Sequence, residues 1–242
     1  ALVDLDARKP QVVEIPNPKV VRSLKVCRDA LEAEILVSVP VMKTHMHTQV
    51  SLGLKNMKGC LYKREKVRLH QLPALKGARA ARGRPLDMAI ADLSKVLLPD
   101  LTVIDGTIGQ EGLGPSAGEP KPLGAIVASF NCLAADTVAV RLMGQDPDSV
   151  HHPQLAFAEL NESAESALHG LDRFHVMPED YLKWASPFQP PPARISIEYE
   201  NVHVEDIDSC SACLSTVLMF LKRYQADLAD YFNEDLPLRL AI

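Results

Sequence analysis

This chain's sequence predicts an α/β fold: a layered, mainly parallel or mixed sheet with helices on both faces, plus a C-terminal hairpin and a long helix. Three observations predict it. Short apolar runs closed by a proline or glycine recur along the chain, stretches of helical period lie between them, and the connections are short. Strands that alternate with helices need crossovers, which is why a layered sheet is expected.

The first strand is read in "EAEILVSVP" (Glu32 to Pro40), an apolar run closed by proline and expected in the middle of the sheet. The second is "PDLTVIDG" (Pro99 to Gly106), and the third is "GAIVASF" (Gly124 to Phe130). A helix is expected over "PLDMAIADLSKVLLP" (Pro85 to Pro99), where Met88, Ile90, Ala91, Leu93, Val96 and Leu97 form an apolar stripe bounded by prolines. "CLAADTVAVRLMG" (Cys132 to Gly144) reads as a second helix ending in a glycine C-cap, and "HPQLAFAELN" (His152 to Asn161) as a third. "FQPPPARI" (Phe188 to Ile195) is a rigid spacer, so the core is assigned to residues 1–187 and a strand-helix extension, packed on the same core or apart from it, to 188–242. In that extension "ARISIEYENVHVE" alternates like exposed strands and a long amphipathic helix follows from about Leu214 to Tyr231.

Composition excludes several classes. The chain has 242 residues, 47% hydrophobic and 24% charged, which is ordinary for a folded domain. A net charge of -5 and a pI near 5.9 give no global attraction to nucleic acid or to an anionic membrane. Five scattered cysteines point to a reducing compartment, and no apolar run reaches the ~18 residues that span a bilayer. With no basic-apolar secretory leader at its start, the chain reads as cytoplasmic. It begins at Ala1 rather than methionine, so a first strand upstream of it is left open.

The densest chemistry lies in "VPVMKTHMHTQVSLGLKNMKGC" (Val39 to Cys60), which begins as the first strand ends. Ligands of open α/β sheets gather beyond strand ends. Lys43, Lys55, Asn56 and Lys58 suit a phosphate or carboxylate; His45, His47 and, further on, His70 are candidates to move a proton. Gly59 allows close backbone approach. Arg64, Lys66 and Arg68 make the following segment locally basic. The alternative is a helix through "QVSLGLKNMKG", capped by Thr44 or Thr48, with Val50, Leu54 and Met57 in the core and the lysines in water.

"DGTIGQEGLGPSAGEP" (Asp105 to Pro120) holds five glycines in sixteen residues directly after a strand. Such density brings backbone N–H groups close to a ligand, while Asp105 and Glu111 suit a cation or a proton; the alternative is a tight connection. It is neither a phosphate-binding P-loop nor a dinucleotide turn. Asp136 sits early in a helix, where the helix field favours a carboxylate; Asp87 has a similar place, with helix-end electrostatics as the alternative for both. Cys210 and Cys213 form one C-x-x-C at a helix start, which suits two ligands of a metal or iron-sulfur cluster, a redox pair, or plain packing.

These blocks carry a family resemblance. "ILVSVPVMKTHMHTQVSLGLKNMKGC", "RLHQL", "DLTVIDGTIGQEGLGPSAGEP" and "GAIVASFNCLAADTVAVRLMGQDP" together resemble the DUF362 family, a domain of unknown function, from Glu32 to about Pro147. The resemblance points to Lys43, His45, Lys55, Asn56, Gly59, His70, Asp105, Gly106, Glu111, Gly112, Gly114 and Pro115 as the shared positions. A further family block has Asp and then Ala-x-Asp; here Asn131 replaces the first carboxylate and Asp136 keeps the second. Some relatives carry ferredoxin-like domains, whose repeated cysteine pattern this chain lacks.

Three functions follow as expectations. The first is a pocket for a small anionic molecule, with a divalent ion as an option, formed where Lys43, Lys55 and the Asp105 loop meet. In it Lys43, His45, Lys55, His70, Asp105 and Glu111 act in catalysis, and Asn56, Gly59, Gly112, Gly114 and Asp136 hold the ligand or cofactor. The second is a metal or iron-sulfur protein, for electron transfer or assembly, centred on Cys210 and Cys213. The third is an interaction module whose C-terminal helix joins a partner or a second copy through Leu214, Val217, Leu218, Leu221, Leu228 and Tyr231.

Overall fold

The computed structural model describes residues 1–73, 84–160, 174–191, 196–199, 202–205, 211–229, 235 and 237–241. The main sheet is mixed. Strands β3 (Val37–Ser38) and β4 (Val41–His45) are two lengths of one path broken at Pro40, both parallel to β6 (Leu101–Glu111) along one edge. On the other edge of β6 lies β7 (Glu119–Ser129), antiparallel to it, and β5 (Gln49–Ser51) closes the far side antiparallel to β4. Ahead of the sheet, β1 (Gln11–Glu14) and β2 (Ser23–Val26) form a separate antiparallel pair followed by the short helix α1 (Arg28–Glu32).

The helices between strands are α2 (Gly53–Asn56), continued by a 3-10 turn over Met57–Cys60, then α3 (Glu65–Arg68) and α4 (Pro85–Ser94). After β7 come α5 (Cys132–Leu142) and α6 (His151–Leu160). The inner face of the sheet, with Met42, Ile104 and Val127, packs on Ala135, Val138, Ala139 and Leu142 of α5 and on Phe188. Burying each of the larger side chains removes enough apolar area to contribute roughly 1.5–3 kcal/mol. A second cluster joins Leu54 and Met57 to Leu86, Ile90 and Leu93 of α4 and to Leu24 and Val26 of β2.

The α/β class is as expected, but the sheet's outer face is not covered by described helices. Val37, Val39, Val41 and Ile126 are 45%, 63%, 46% and 62% exposed, so the β3–β4 path, although β4 lies between β6 and β5, is buried on one face only. Strand order supplies the reason. Both β4–β5 and β6–β7 are antiparallel neighbours, whose connections do not have to cross a face of the sheet; the parallel step from β4 to β6 does.

The glycine-rich loop also shrinks. β6 continues through Glu111 and β7 begins at Glu119, so Gly106 and Gly109 lie within a strand. They are there for space: a Cβ at Gly106 would come 2.8 Å from the Ala125 carbonyl oxygen, and one at Gly109 2.7 Å from that of Met42. The register shift between Gly106 and Ile108 marks the bulge where β6 bends.

In the C-terminal part, β8 (Ser196–Tyr199) pairs antiparallel with β9 (Val202–Glu205), and β10 (Leu238–Ala241) pairs parallel with β9. The helix α7 (Ser211–Ala229) buries Leu221 on Val202 and Val204, and Leu218 on Met46 and Ala117 of the main body. Cys210 and Tyr231 lie outside the described residues, as do the side chains of Leu214 and Leu228.

Asn131 caps α5: its Oδ1 accepts from Leu133 N at 3.0 Å and Ala134 N at 3.1 Å. The role needs one acceptor oxygen and no charge. Asn131→Ala is therefore expected to lower stability by about 1 kcal/mol, and Asn131→Asp to be nearly neutral, in urea denaturation.

A lysine and histidine cluster at the end of β4

β4 ends in His45, and the chain turns through Thr48 into β5 and then α2. This return places Lys55, one turn into α2, near Lys43 on β4. Asp136 fixes where α2 begins. Its Oδ1 accepts from Gly53 N at 2.7 Å and its Oδ2 from Leu54 N at 3.0 Å, in a site closed to water. Burial pushes its pKa up to about 7 against the pull of the two N–H donors. Gly53 is held to glycine because a Cβ would lie 2.5 Å from Thr102 Cγ2 and 2.9 Å from Asp136 Oδ1.

Lys55 is buried, 8% exposed, and its Nζ donates to Ser51 Oγ at 3.2 Å. Burial first, then the charges of Lys58 and Lys43, hold its pKa well below the usual lysine range, while Asp87 pulls the other way. Lys43 is half-buried and shifted down by desolvation; among the described residues it forms no ion pair with a carboxylate. Lys58 Nζ donates to His70 Nε2 and also reaches the Lys66 carbonyl at 3.4 Å.

Three imidazoles complete the group. His45, 1% exposed, lies 6.3 Å from the His70 ring, nearly parallel, and 6.2 Å from that of His47. Its Nδ1 accepts from His47 N at 3.1 Å and Thr48 N at 3.4 Å, which leaves the ring hydrogen on Nε2. Burial, then Lys55, His47, His70 and Lys58, hold its pKa well below the ordinary value. His70 drops to about 3 through burial, then Lys58 and Lys55. At neutral pH both rings are uncharged: His45 is an N–H donor and His70 an acceptor for Lys58.

The structure thus brings Lys43, His45, Lys55, Lys58 and His70 together. It places the acidic candidates elsewhere. Asp105 Oδ1 accepts from Thr107 N at 2.9 Å and Thr107 Oγ at 2.6 Å, which lowers its pKa, and it is not among the charges acting on the lysines or on His45. Glu111 accepts from Gln189 N at 2.9 Å and faces Lys121 at 3.8 Å.

The remaining candidates also have local roles. Gly112 and Gly114 approach β4: Thr44 Oγ1 donates to the Gly112 carbonyl at 3.0 Å, and a Cβ on Gly114 would lie 2.0 Å from the Thr44 carbonyl oxygen. Asn56 Nδ2 donates to Ser38 Oγ at 3.0 Å, tying α2 to β3, and Gly59 is exposed. Cys213 is exposed on α7, and among the described residues no group of three or more His, Cys, Asp or Glu side chains is placed to hold a metal ion. A groove of about 470 Å³ between β7, α5 and residues 174–184, lined by Ile126, Phe174, Met177, Tyr181 and Trp184, includes none of the predicted site residues.

Two residues behind the cluster give no sign of their pairing in the sequence. His152, at the start of α6, meets Asp87 of α4 across 3.2 Å, Nδ1 to Oδ1, both fully buried; the other Asp87 oxygen accepts from Arg84 N at 3.0 Å. His152 is pulled down by burial, and Lys55 adds to that. Nothing in the spacing of Asp87 and His152 signals their meeting, since 65 residues separate them.

A family profile described as "Domain of unknown function (DUF362)" matches residues 1–141. The thylakoid-associated protein sll1697 of Synechocystis sp. is 27% identical over 136 residues, 56% of this chain; the match covers 40% of that relative's length. No solved structure matches the chain. Among the described residues no helix is long and apolar enough to cross a membrane.

Proposed function

The chain belongs to the DUF362 family, and from that premise we propose that it binds a small anionic molecule, a carboxylate or a phosphate, at the Lys43, His45, Lys55, Lys58 and His70 cluster. One observation carries the reading: Lys43 and Lys58 both act on buried Lys55, where burial makes like charges costly, and Lys43 forms no ion pair with a carboxylate among the described residues. A protein that only needed to fold gains nothing from this, because crowded cations oppose folding. An anion offsets that opposition. Lys43 and Lys58 supply the charge, and His45 Nε2–H supplies a neutral donor beside them.

The unbonded thiols of Cys27 and Cys132 support a reducing compartment, so a cytoplasmic location is kept as part of the proposal. The Synechocystis relative is named for its association with thylakoids. An attachment of that kind by this chain would use a surface, such as the exposed outer face of the sheet, rather than a described spanning helix.

Calorimetric titration with inorganic phosphate and with citrate tests the reading. Lys43→Ala and Lys58→Ala are each expected to weaken the better ligand about 10- to 100-fold, the worth of one charge-assisted hydrogen bond. Affinity should also fall with added salt. Affinity unchanged from the unaltered chain in both variants, or heat of binding from neither anion, would remove the proposal.

A further inference from the structure

We propose that Lys55 is a covalent nucleophile whose ε-amine condenses with the carbonyl carbon of an anionic aldehyde or ketone held beside it. The inference rests on the anion-binding reading above and adds the class of ligand. The step balances without a redox partner. The amine nitrogen bonds to the carbonyl carbon, the C–O bond breaks, and the oxygen leaves as water with both amine hydrogens, giving an imine at Lys55.

Position separates Lys55 from its neighbours. It is the buried lysine of the three, anchored by Ser51 Oγ at 3.2 Å, while Lys43 is half-buried and Lys58 is engaged by His70 and the Lys66 carbonyl. The groups that face it are Lys43 and His45 from β4, Lys58 and His70 from the segment after α2, and Asp87 with His152 from α4 and α6. Of these only Asp87 favours a charged amine, and both its oxygens already serve His152 Nδ1 and Arg84 N. A desolvated lysine among other cations keeps a neutral amine at a pH where exposed lysines are protonated. The same cations fit the ligand's anionic group, and His45 Nε2–H is the neutral donor nearest in character to what a carbonyl oxygen needs.

The test uses the full chain and pyridoxal 5′-phosphate, an aldehyde that carries a phosphate, at pH 7, followed by borohydride reduction and peptide mass mapping. Adduct should form on Lys55 at least about tenfold faster than on exposed Lys9 and Lys25, because burial among cations keeps more of its amine neutral. Lys55→Met should lose this adduct, and inorganic phosphate should slow labelling in the unaltered chain. Adduct spread over exposed lysines with Lys55 untouched, in a chain that still binds phosphate, would overturn the nucleophile and leave the anion site standing. Loss of phosphate binding in the unaltered chain would instead remove the reading beneath it. Because mapping is done on the unaltered chain, its outcome does not depend on any variant folding.

Discussion

Asp136→Ala is expected to lower the unfolding free energy by about 2–4 kcal/mol, the cost of two buried N–H donors left without an acceptor less the relief of leaving no buried carboxyl group. Gly53 N and Leu54 N would lose their acceptor in a site closed to water. No other described side chain takes those two donors. Since α2 carries Lys55 and leads into Lys58, anion affinity should fall with stability, although Asp136 itself touches neither lysine. Asp136→Asn keeps one acceptor oxygen but turns an N–H group toward the second donor, so an intermediate loss of about 1–3 kcal/mol is expected. Urea denaturation at pH 7 measures both. Wild-type stability in the alanine variant would mean that α2 does not depend on this cap.

The capping role of Asp136 shows what the linear pattern holds and what it omits. Helices α4, α5 and α6 follow from apolar stripes and proline or glycine boundaries, because these signals are local. Lys43, His45 and Lys55 also meet as expected, since a strand, a tight return and a short helix join them within thirteen residues. Partners far apart in sequence were beyond reach. Glycine density reads the same whether backbone approaches a ligand or another strand, and at Gly114 it is the Thr44 carbonyl that demands the space. Asp105 stands next to a glycine at a bulge, where its nearest donors belong to Thr107. Lys58 resembles a solvated lysine until His70, twelve residues on, is brought against it. Asp92 is another such case: buried on α4, its carboxylate accepts from Lys19, Val20 and Val21 backbone N–H groups more than seventy residues away.

Acid should weaken this fold steeply, and the buried histidines set the sign. His45, His70 and His152 all titrate below the ordinary 6.5 when folded, His70 at about 3. Below pH 6.5 the unfolded chain binds protons on these three rings that the folded chain refuses, so their full contribution is present above 6.5 and is lost as pH falls. Asp136 acts in the opposite direction. With its folded pKa up at about 7, the fold holds a proton that the unfolded chain has released above 3.8, and that contribution disappears as pH rises through 7. Between about pH 4 and 6 the balance is up to two protons in favour of the unfolded chain, or a slope of up to about 2.7 kcal/mol per pH unit. Lys55 and Lys43, both shifted down from 10.5, extend the rise in stability above neutrality. The buried thiols Cys27 and Cys132 and the partly buried Cys60, all shifted up from 9.0 by desolvation first, reverse it once the unfolded chain begins to ionise its cysteines. Stability should therefore peak between about pH 7 and 9, with the urea midpoint falling sharply toward pH 5. His152→Gln and His45→Gln should each flatten the acid limb by up to one proton, whatever they do to the midpoint at pH 8. A midpoint that stays level from pH 8 to pH 5 would mean that these rings are charged in the folded chain, and a cluster able to carry that much positive charge would have to hold an anion even when none is added.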